Sequence, residues 1–325
     1  MKRRDFLIGI GTVATLKPLA ALAQPRTLRR IGSMSSLAAD DPISLARLGA
    51  FRQSLSHLGW TEGREVEITY RYAAGSAEKM SANAVEFEAL KPDVILVNGA
   101  PALASLVRVT KSIPIVFVAV SDPVADGFAR SMAQPGGNVT GFTDYESATS
   151  GKWVQILRDV APNLALILVA NTPGNPSTPR RVSAIENAAA NFGLKVKNLP
   201  LTNTGEFDAS SFDQNSGLIA LPSPYTSSQR EALIKFSNAN KIPAVFPFRY
   251  FATGGGLMSY GVDVIDLYRQ AASYVSRILK GEHPADLPIQ EPTKYELVLN
   301  LKAAKAMGIE VPAPLLVRAD DVIEQ

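Results

Sequence analysis

Polar side chains suited to holding a small molecule recur directly behind short apolar runs in this chain. Ser33, Ser35 and Ser36 cluster at the end of the run that starts at Arg30. Asn98-Gly99-Ala100-Pro101 follows Asp93-Val94-Ile95-Leu96-Val97, and Ser121-Asp122-Pro123 follows Ile115-Val116-Phe117-Val118-Ala119. Further along come Asn171-Thr172-Pro173-Gly174-Asn175, Pro222-Ser223-Pro224-Tyr225, Phe248-Arg249-Tyr250, and the stretch from Tyr260 to Asp263. Hydroxyls and amides donate and accept hydrogen bonds, and Asp122 or Asp263 can hold an ammonium. Phe248 and Tyr260 offer aromatic faces to an apolar group. Such an inventory serves recognition of an organic solute.

Bond-making chemistry has far less material. There is no Gly-x-Ser-x-Gly elbow, no Gly-x-Gly-x-x-Gly behind the first strand and no His-Glu-x-x-His. With no cysteine and only His57 and His283, neither a thiolate metal site nor a histidine-based triad is indicated. No metal or cofactor is expected. Gly254-Gly255-Gly256 lacks the Lys-Ser/Thr that a phosphate loop needs, so it reads as a hinge or tight turn.

The apolar rhythm predicts the elements that must position these groups. Strands are expected at 30–34, 66–72, 93–97, 115–119 and 139–142, with helices over 43–58, 77–90 and 101–110 between them. The rhythm then restarts: helix 152–160, strand 164–170, helix 180–192, strands 194–199 and 217–221, helix 227–240 and strand 244–246. Continuous apolar runs such as Val94-Ile95-Leu96-Val97 suit strands buried on both faces, as in a parallel sheet. An amphipathic helix over 267–279, a strand at 295–299 and a helix at 302–307 close the chain. Two successive strand–helix series imply two α/β lobes, each a doubly wound parallel sheet. In such sheets ligands bind beyond the carboxyl ends of the strands. That rule selects Ser33, Ser35, Asn98, Ala100, Ser121, Asp122, Asn175, Ser223, Phe248, Tyr260 and Asp263 as candidate ligand-binding residues. Each also has a plain structural reading: Asp122 before Pro123 as a turn residue, Asp263 as a helix cap, Phe248 and Tyr260 as core or hinge aromatics. Trp60, Trp153 and His57 read as packing or capping groups.

Lys2, Arg3 and Arg4 precede an apolar run from Phe6 to Leu16, and Ala21-Leu22-Ala23 supplies a small-x-small cleavage pattern. Residues 1–23 therefore read as an export signal, with the mature chain starting at Gln24. Arg3-Arg4-Asp5-Phe6-Leu7 resembles a twin-arginine signal. The run is too short for a permanent membrane span, no Cys follows it to carry a lipid, and periplasmic location without stable membrane insertion is expected. Four of the 33 basic and one of the 30 acidic groups lie in residues 1–23, which leaves 29 of each beyond them. The apparent basicity belongs to the signal and gives no support for nucleic-acid binding.

Ala50-Phe51-Arg52-Gln53, Leu58-Gly59-Trp60-Thr61-Glu62-Gly63 and Pro92-Asp93-Val94-Ile95-Leu96 resemble the opening of a group of ABC transporter substrate-binding proteins that includes tryptophan- and other aromatic-amino-acid-binding members. The likeness continues through Ser121-Asp122-Pro123-Val124, Pro135-Gly136-Gly137-Asn138-Val139-Thr140-Gly141-Phe142, Gly256-Leu257-Met258-Ser259-Tyr260-Gly261 and Pro292-Thr293-Lys294-Tyr295-Glu296-Leu297. It implies the type I periplasmic binding fold, two lobes joined by three crossovers, and a monomer that hands a small-molecule ligand to an ABC permease with its ATPase. Lobe one is expected to comprise 29–142 plus 252–286, and lobe two 143–250 plus 288–325, with crossovers near Phe142-Thr143, Arg249-Tyr250 and Asp286-Pro288.

Three other readings compete. An exported α/β enzyme would need one of the missing catalytic motifs. A sugar-repressor-like regulator would need a basic helix-turn-helix where the export signal stands. A periplasmic sensor would share every feature above. The expected ligand is an aromatic amino acid or related aromatic acid, with other amino acids next.

Overall fold

The apolar runs become the inner strands of two separate sheets. The computed structural model describes residues 28–146, 148–173, 175, 177–201 and 212–324, so residues 1–23, expected to be an export signal, and Gly174 lie outside the described residues. The first lobe contains β1 (Arg29–Ser35), α1 (Pro42–His57), β2 (Val66–Tyr72), α2 (Ala77–Leu90), β3 (Val94–Asn98), α3 (Ala100–Val109), β4 (Ile115–Val118) and β5 (Val139–Phe142). Its strands lie in the order β2-β1-β3-β4-β5, all parallel. Every residue of β3 and β4 is buried, as strands covered on both faces must be. Asp41 opens α1 by accepting a hydrogen bond from the Ile43 amide at 2.8 Å, with Pro42 at the first helical position.

The second lobe contains α4 (Ala148–Val160), β6 (Leu166–Asn171), α5 (Thr178–Ala190), β7 (Lys195–Pro200), β8 (Ser216–Ala220), α6 (Pro224–Ser228), α7 (Arg230–Ala239), β9 (Ala244–Phe246), α8 (Arg249–Thr253) and β10 (Met258–Val262). After α9 (Val264–Leu279) it also receives β11 (Tyr295–Asn300), α10 (Leu301–Met307), α11 (Ala313–Arg318) and β12 (Asp321–Ile323). Its sheet runs β12-β11-β10-β9-β8-β6-β7, so β7-β6-β8-β9-β10 repeats the winding of the first lobe. The predicted helix over 227–240 is two helices broken at Gln229, where Ser223 starts the first with a side-chain cap.

β10 corrects the expected lobe boundary. Residues 252–263 do not join lobe one: β10 pairs in parallel with β9, inside the seven-stranded sheet. The glycine run explains this, because Gly254 and Gly255 end α8 within the second lobe and turn the chain into β10, Gly255 at φ +105°. What returns to lobe one is α9, whose Leu267, Ala271, Val275 and Ile278 face inward at helical spacing against α1 and β4. Burial of each larger side chain contributes about 1.5–3 kcal/mol. The middle crossover is thus Val262-Asp263-Val264, not Arg249-Tyr250. The chain then re-enters the second lobe from the hinge end, so β11 must run away from the junction and pairs antiparallel with β10. The first and last crossovers run side by side, with the Thr143 amide donating to the Gln290 carbonyl and the Gln290 amide to the Gly141 carbonyl, both at 2.9 Å. One apolar cluster passes through this junction, from Phe51 and Phe142 to Phe246, Phe248 and Phe251.

Candidate ligand site between the lobes

The strand ends of the two lobes face each other across a closed junction. On the first-lobe side, Ser36 Oγ donates to the Asn98 carbonyl at 2.8 Å, and Ser35 Oγ lies 3.3 Å from Ser44 Oγ. Ser33 is buried inside β1. The Asn98 side chain is buried, its Nδ2 donates to the Val118 carbonyl at 3.4 Å, and its Oδ1 has no partner. Ala100 begins α3 behind Gly99. On the second-lobe side, Thr172 Oγ1 and Ser223 Oγ are 2.7 Å apart, and Tyr250 Oη is 2.7 Å from Ser227 Oγ. The lobes touch where Gly99 meets Pro224: a Cβ on Gly99 would sit 2.6 Å from Pro224 Cγ.

Three charged side chains are buried at this junction. Arg47 of α1 is 4% exposed, Arg181 of α5 is 5%, and Asp144 of the first crossover is 7%. Among the described residues, none of the three has an opposite charge within 4 Å. Asp144 accepts from Ser121 Oγ at 2.6 Å. Burial pushes its carboxyl up, and Arg181 is the strongest group acting the other way, followed by Ser121. The Arg181 guanidinium donates to the Pro222 carbonyl at 2.7 Å and lies 4.9 Å from the Tyr145 ring centroid, while its Nε has no partner. Burial lowers its pKa, opposed mainly by Asp144. Arg47 lies 5.9 Å from the Tyr250 ring centroid. Buried charge without a contacting partner is costly, so such a cluster is a place where a charged or polar ligand is favoured.

Beside the cluster lies a cavity of about 270 Å³ between α1, α8 and the start of α9. Ile43, Arg47, Phe248, Tyr250 and Val264 line it, and Asp263 stands at its edge. Arg47 and Tyr250 belong both to the cavity wall and to the polar junction, which makes the two regions neighbours.

The candidate residues separate accordingly. Ser35, Asn98, Ser121, Ser223 and Phe248 come together around the junction. Asp122 is occupied otherwise: one oxygen accepts from the Ala125 amide at 3.1 Å, the other from Arg180 Nε across the lobes at 3.2 Å. Asp263 caps α9 through the Asp266 amide at 3.1 Å, and its strand belongs to the second lobe rather than the first. Asn175 is engaged with Ser177. Tyr260 stacks on Tyr295 at 5.7 Å, and its carbonyl accepts from Trp153 Nε1 at 2.7 Å, on the side of the second sheet covered by α4. Arg47 and Arg181 do not emerge from strand-end position, whereas Asp144 stands just past the end of β5 and the strand-end rule could have found it. A signal for the arginines exists, because Arg47 shares the inward stripe of Ser44, Leu48, Phe51 and Leu55, and Arg181 that of Ile185 and Ala189. Asp144 lies two residues behind β5.

The model of the ABC transporter substrate binding protein family matches residues 38–323, and the chain belongs to that family. A tyrosine-binding protein from Clostridioides difficile (strain R20291) is 25% identical over 280 residues, covering 85% of this chain and 80% of that protein. Among solved structures, an ABC domain in complex with L-Trp from Streptococcus pneumonia superposes with a TM-score of 0.83 at 23% identity, over 91% of this chain and all of the other. A conserved domain protein from Vibrio cholerae gives 0.82 at 27% identity, over 90% and 99% of the two chains. The open, ligand-free structure of a substrate-binding protein with adhesive properties from Clostridium difficile gives only 0.67 at 25% identity, over 92% and 100%. Among the described residues no helix is long and apolar enough to cross a membrane.

Proposed function

We propose that this chain is the periplasmic solute-binding component of an ABC importer. It captures a small organic solute between its lobes and delivers it unchanged to the permease. The observation that carries this reading is the set of three buried charges, Arg47, Arg181 and Asp144, none with an opposite charge within 4 Å, where the two lobes meet. A receptor that must release its ligand has reason to leave such a network incomplete, since a solute then supplies the missing partner and closes the lobes. The contacts we assign to the solute are Ser35, Asn98, Ser121, Asp144, Arg181, Ser223, Arg47, Phe248 and Tyr250. The names of the relatives, a tyrosine-binding protein and a domain complexed with L-Trp, support an amino acid or aromatic compound as the ligand class.

Melting curves across a library of amino acids, organic acids and sugars test this reading. A ligand that binds only the folded chain raises the melting temperature, by about 2.7 kcal/mol of stabilisation at a hundredfold excess over Kd. Mass spectrometry of the recovered solute should find it unchanged, and small-angle scattering should find a smaller radius of gyration in its presence. A library without any stabilising solute, or a solute recovered as a different compound, would refute it.

A further inference from the structure

Arg47 is the charge this junction leaves unexplained. Asp144 and Arg181 are each other's strongest favourable electrostatic neighbour, and each has a further hydrogen bond, to Ser121 and Pro222 respectively. The two carboxylates at the cavity edge are also engaged. Asp263 caps α9 and has Arg269 at 3.8 Å, while Glu296 pairs with Arg249 at 3.3 Å. Arg47 has the ring and hydroxyl of Tyr250 beside it and Asp144 as a more distant opposite charge, with no carboxylate within 4 Å among the described residues. It stands at 4% exposure on the wall of a cavity whose other lining is largely apolar. The volume of about 270 Å³ exceeds the roughly 150 Å³ that suffices for benzene, so a ring with a short chain fits. Pro42 and Ala46 at the rim are exposed, which gives a route in.

We infer that the solute is an apolar or aromatic monocarboxylate without a balancing ammonium, its carboxylate met by Arg47 and its body in the cavity between α1, α8 and α9. This rests on the receptor reading above and narrows its substrate class. A carboxylate cancels the uncompensated cation. Two buried arginines against the single carboxylate of Asp144 leave the cluster one positive charge in excess, which a monocarboxylate cancels and a zwitterion leaves in place. The buried acceptor Asn98 Oδ1, which also lacks a partner, is satisfied by a neutral donor such as a hydroxyl without adding charge.

Calorimetry with matched pairs tests the assignment: 3-phenylpropionate against L-phenylalanine, 3-(4-hydroxyphenyl)propionate against L-tyrosine, and indole-3-propionate against L-tryptophan. At least one acid should bind tenfold or more tightly than its amino acid. Arg47→Gln should lose 30-fold or more of that affinity, Arg47→Lys should retain part of it, and Arg47→Gln should melt no lower than the parent without ligand, because it removes a lone buried charge. Amino acids binding as tightly as their acids would overturn the inference. So would unchanged affinity in folded Arg47→Gln. If no acid binds but the library yields another solute, the carboxylate assignment falls while the receptor reading stands. If nothing in the library binds, both fall.

Discussion

Gly99→Ala should separate the cost of folding from the cost of closing. Gly99 sits at φ +82° and ψ 151°, a region essentially confined to glycine, and holding alanine there costs about 1–3 kcal/mol. That strain belongs to the loop between β3 and α3 and is present whether the lobes are open or closed. The second effect depends on closure. The new Cβ would lie 2.6 Å from Pro224 Cγ of the opposite lobe, and overpacking of that kind costs about 1–3 kcal/mol. Only the second term enters the ligand affinity, so Kd should rise about 5- to 150-fold. The melting temperature of the free protein should fall by a few degrees from the first term alone. Pro224→Ala removes the clashing atom. The double variant should therefore regain most of the lost affinity while keeping the lowered melting temperature. Calorimetry and thermal melting on the parent, the two single variants and the double complete the cycle. Equal loss of affinity in Gly99→Ala with and without Pro224 truncation would refute the view that this contact forms on closure.

The interlobe ion pairs should favour the closed form. Arg180→Ala removes a contact to the half-exposed Asp122 at 3.2 Å and leaves the buried Asp126 without its partner at 2.5 Å, and should weaken binding about 5- to 150-fold. Arg230→Ala leaves the largely buried Asp41 without its partner at 3.0 Å and should cost a similar amount, about 1–3 kcal/mol, with little sensitivity to salt; titrations at low and high ionic strength check both. Asp144→Asn keeps an acceptor for Ser121 and should stabilise the ligand-free protein near neutral pH. A carboxyl raised by burial opposes folding above its raised pKa and ceases to do so as pH falls through it towards the ordinary carboxylate range. The advantage of Asn over Asp should thus shrink in melts taken at successively lower pH, and an advantage that grows with acidity would contradict it. Arg3-Arg4→Lys-Lys should abolish export, and unchanged periplasmic yield would show that the twin-arginine reading of Arg3-Arg4-Asp5-Phe6-Leu7 is wrong.

The winding of both sheets is legible because it depends on local pattern. Val94-Ile95-Leu96-Val97, short, apolar and rich in β-branched residues, suits a strand buried on both faces, and the inward stripe of α9 recurs at helical spacing. Short elements escape such reasoning. α8 and β12 span five and three residues, too few to show a period. The lobe to which β10 belongs is not local information either, since its sequence fits either sheet and only pairing with β9 decides. At the site, strand-end position finds Asn98, Ser121 and Ser223, whose place follows from the winding. It fails for Asp122 because the partner that occupies it, Arg180, is 58 positions away on the other lobe. It fails for Arg47 and Arg181 in a different way. Arginine is expected on a helix's solvent face, yet both stand on the buried stripe of their helices, and that conflict between residue type and position is itself the legible mark of a site.

Closure in this chain sets two opposed electrostatic effects against each other. At the rim, Arg180 and Arg230 reach carboxylates of the other lobe and draw the lobes together. At the centre, closing places Arg47, Arg181 and Asp144 out of water without contacting partners, which pushes the lobes apart. The exposed rim pair Arg180 with Asp122 contributes on the order of 1 kcal/mol or less, and the more buried Asp126 and Asp41 pairs contribute more, about 1–3 kcal/mol each. The cost of one lone buried charge is several kcal/mol. Taking a two-state equilibrium from 1:99 to 99:1 needs about 5.5 kcal/mol of differential binding. A ligand that supplies the missing counter-charge to the centre contributes on that scale, whereas one that only fills the apolar cavity does not. The lobes should therefore respond to the charge of the solute more than to its size.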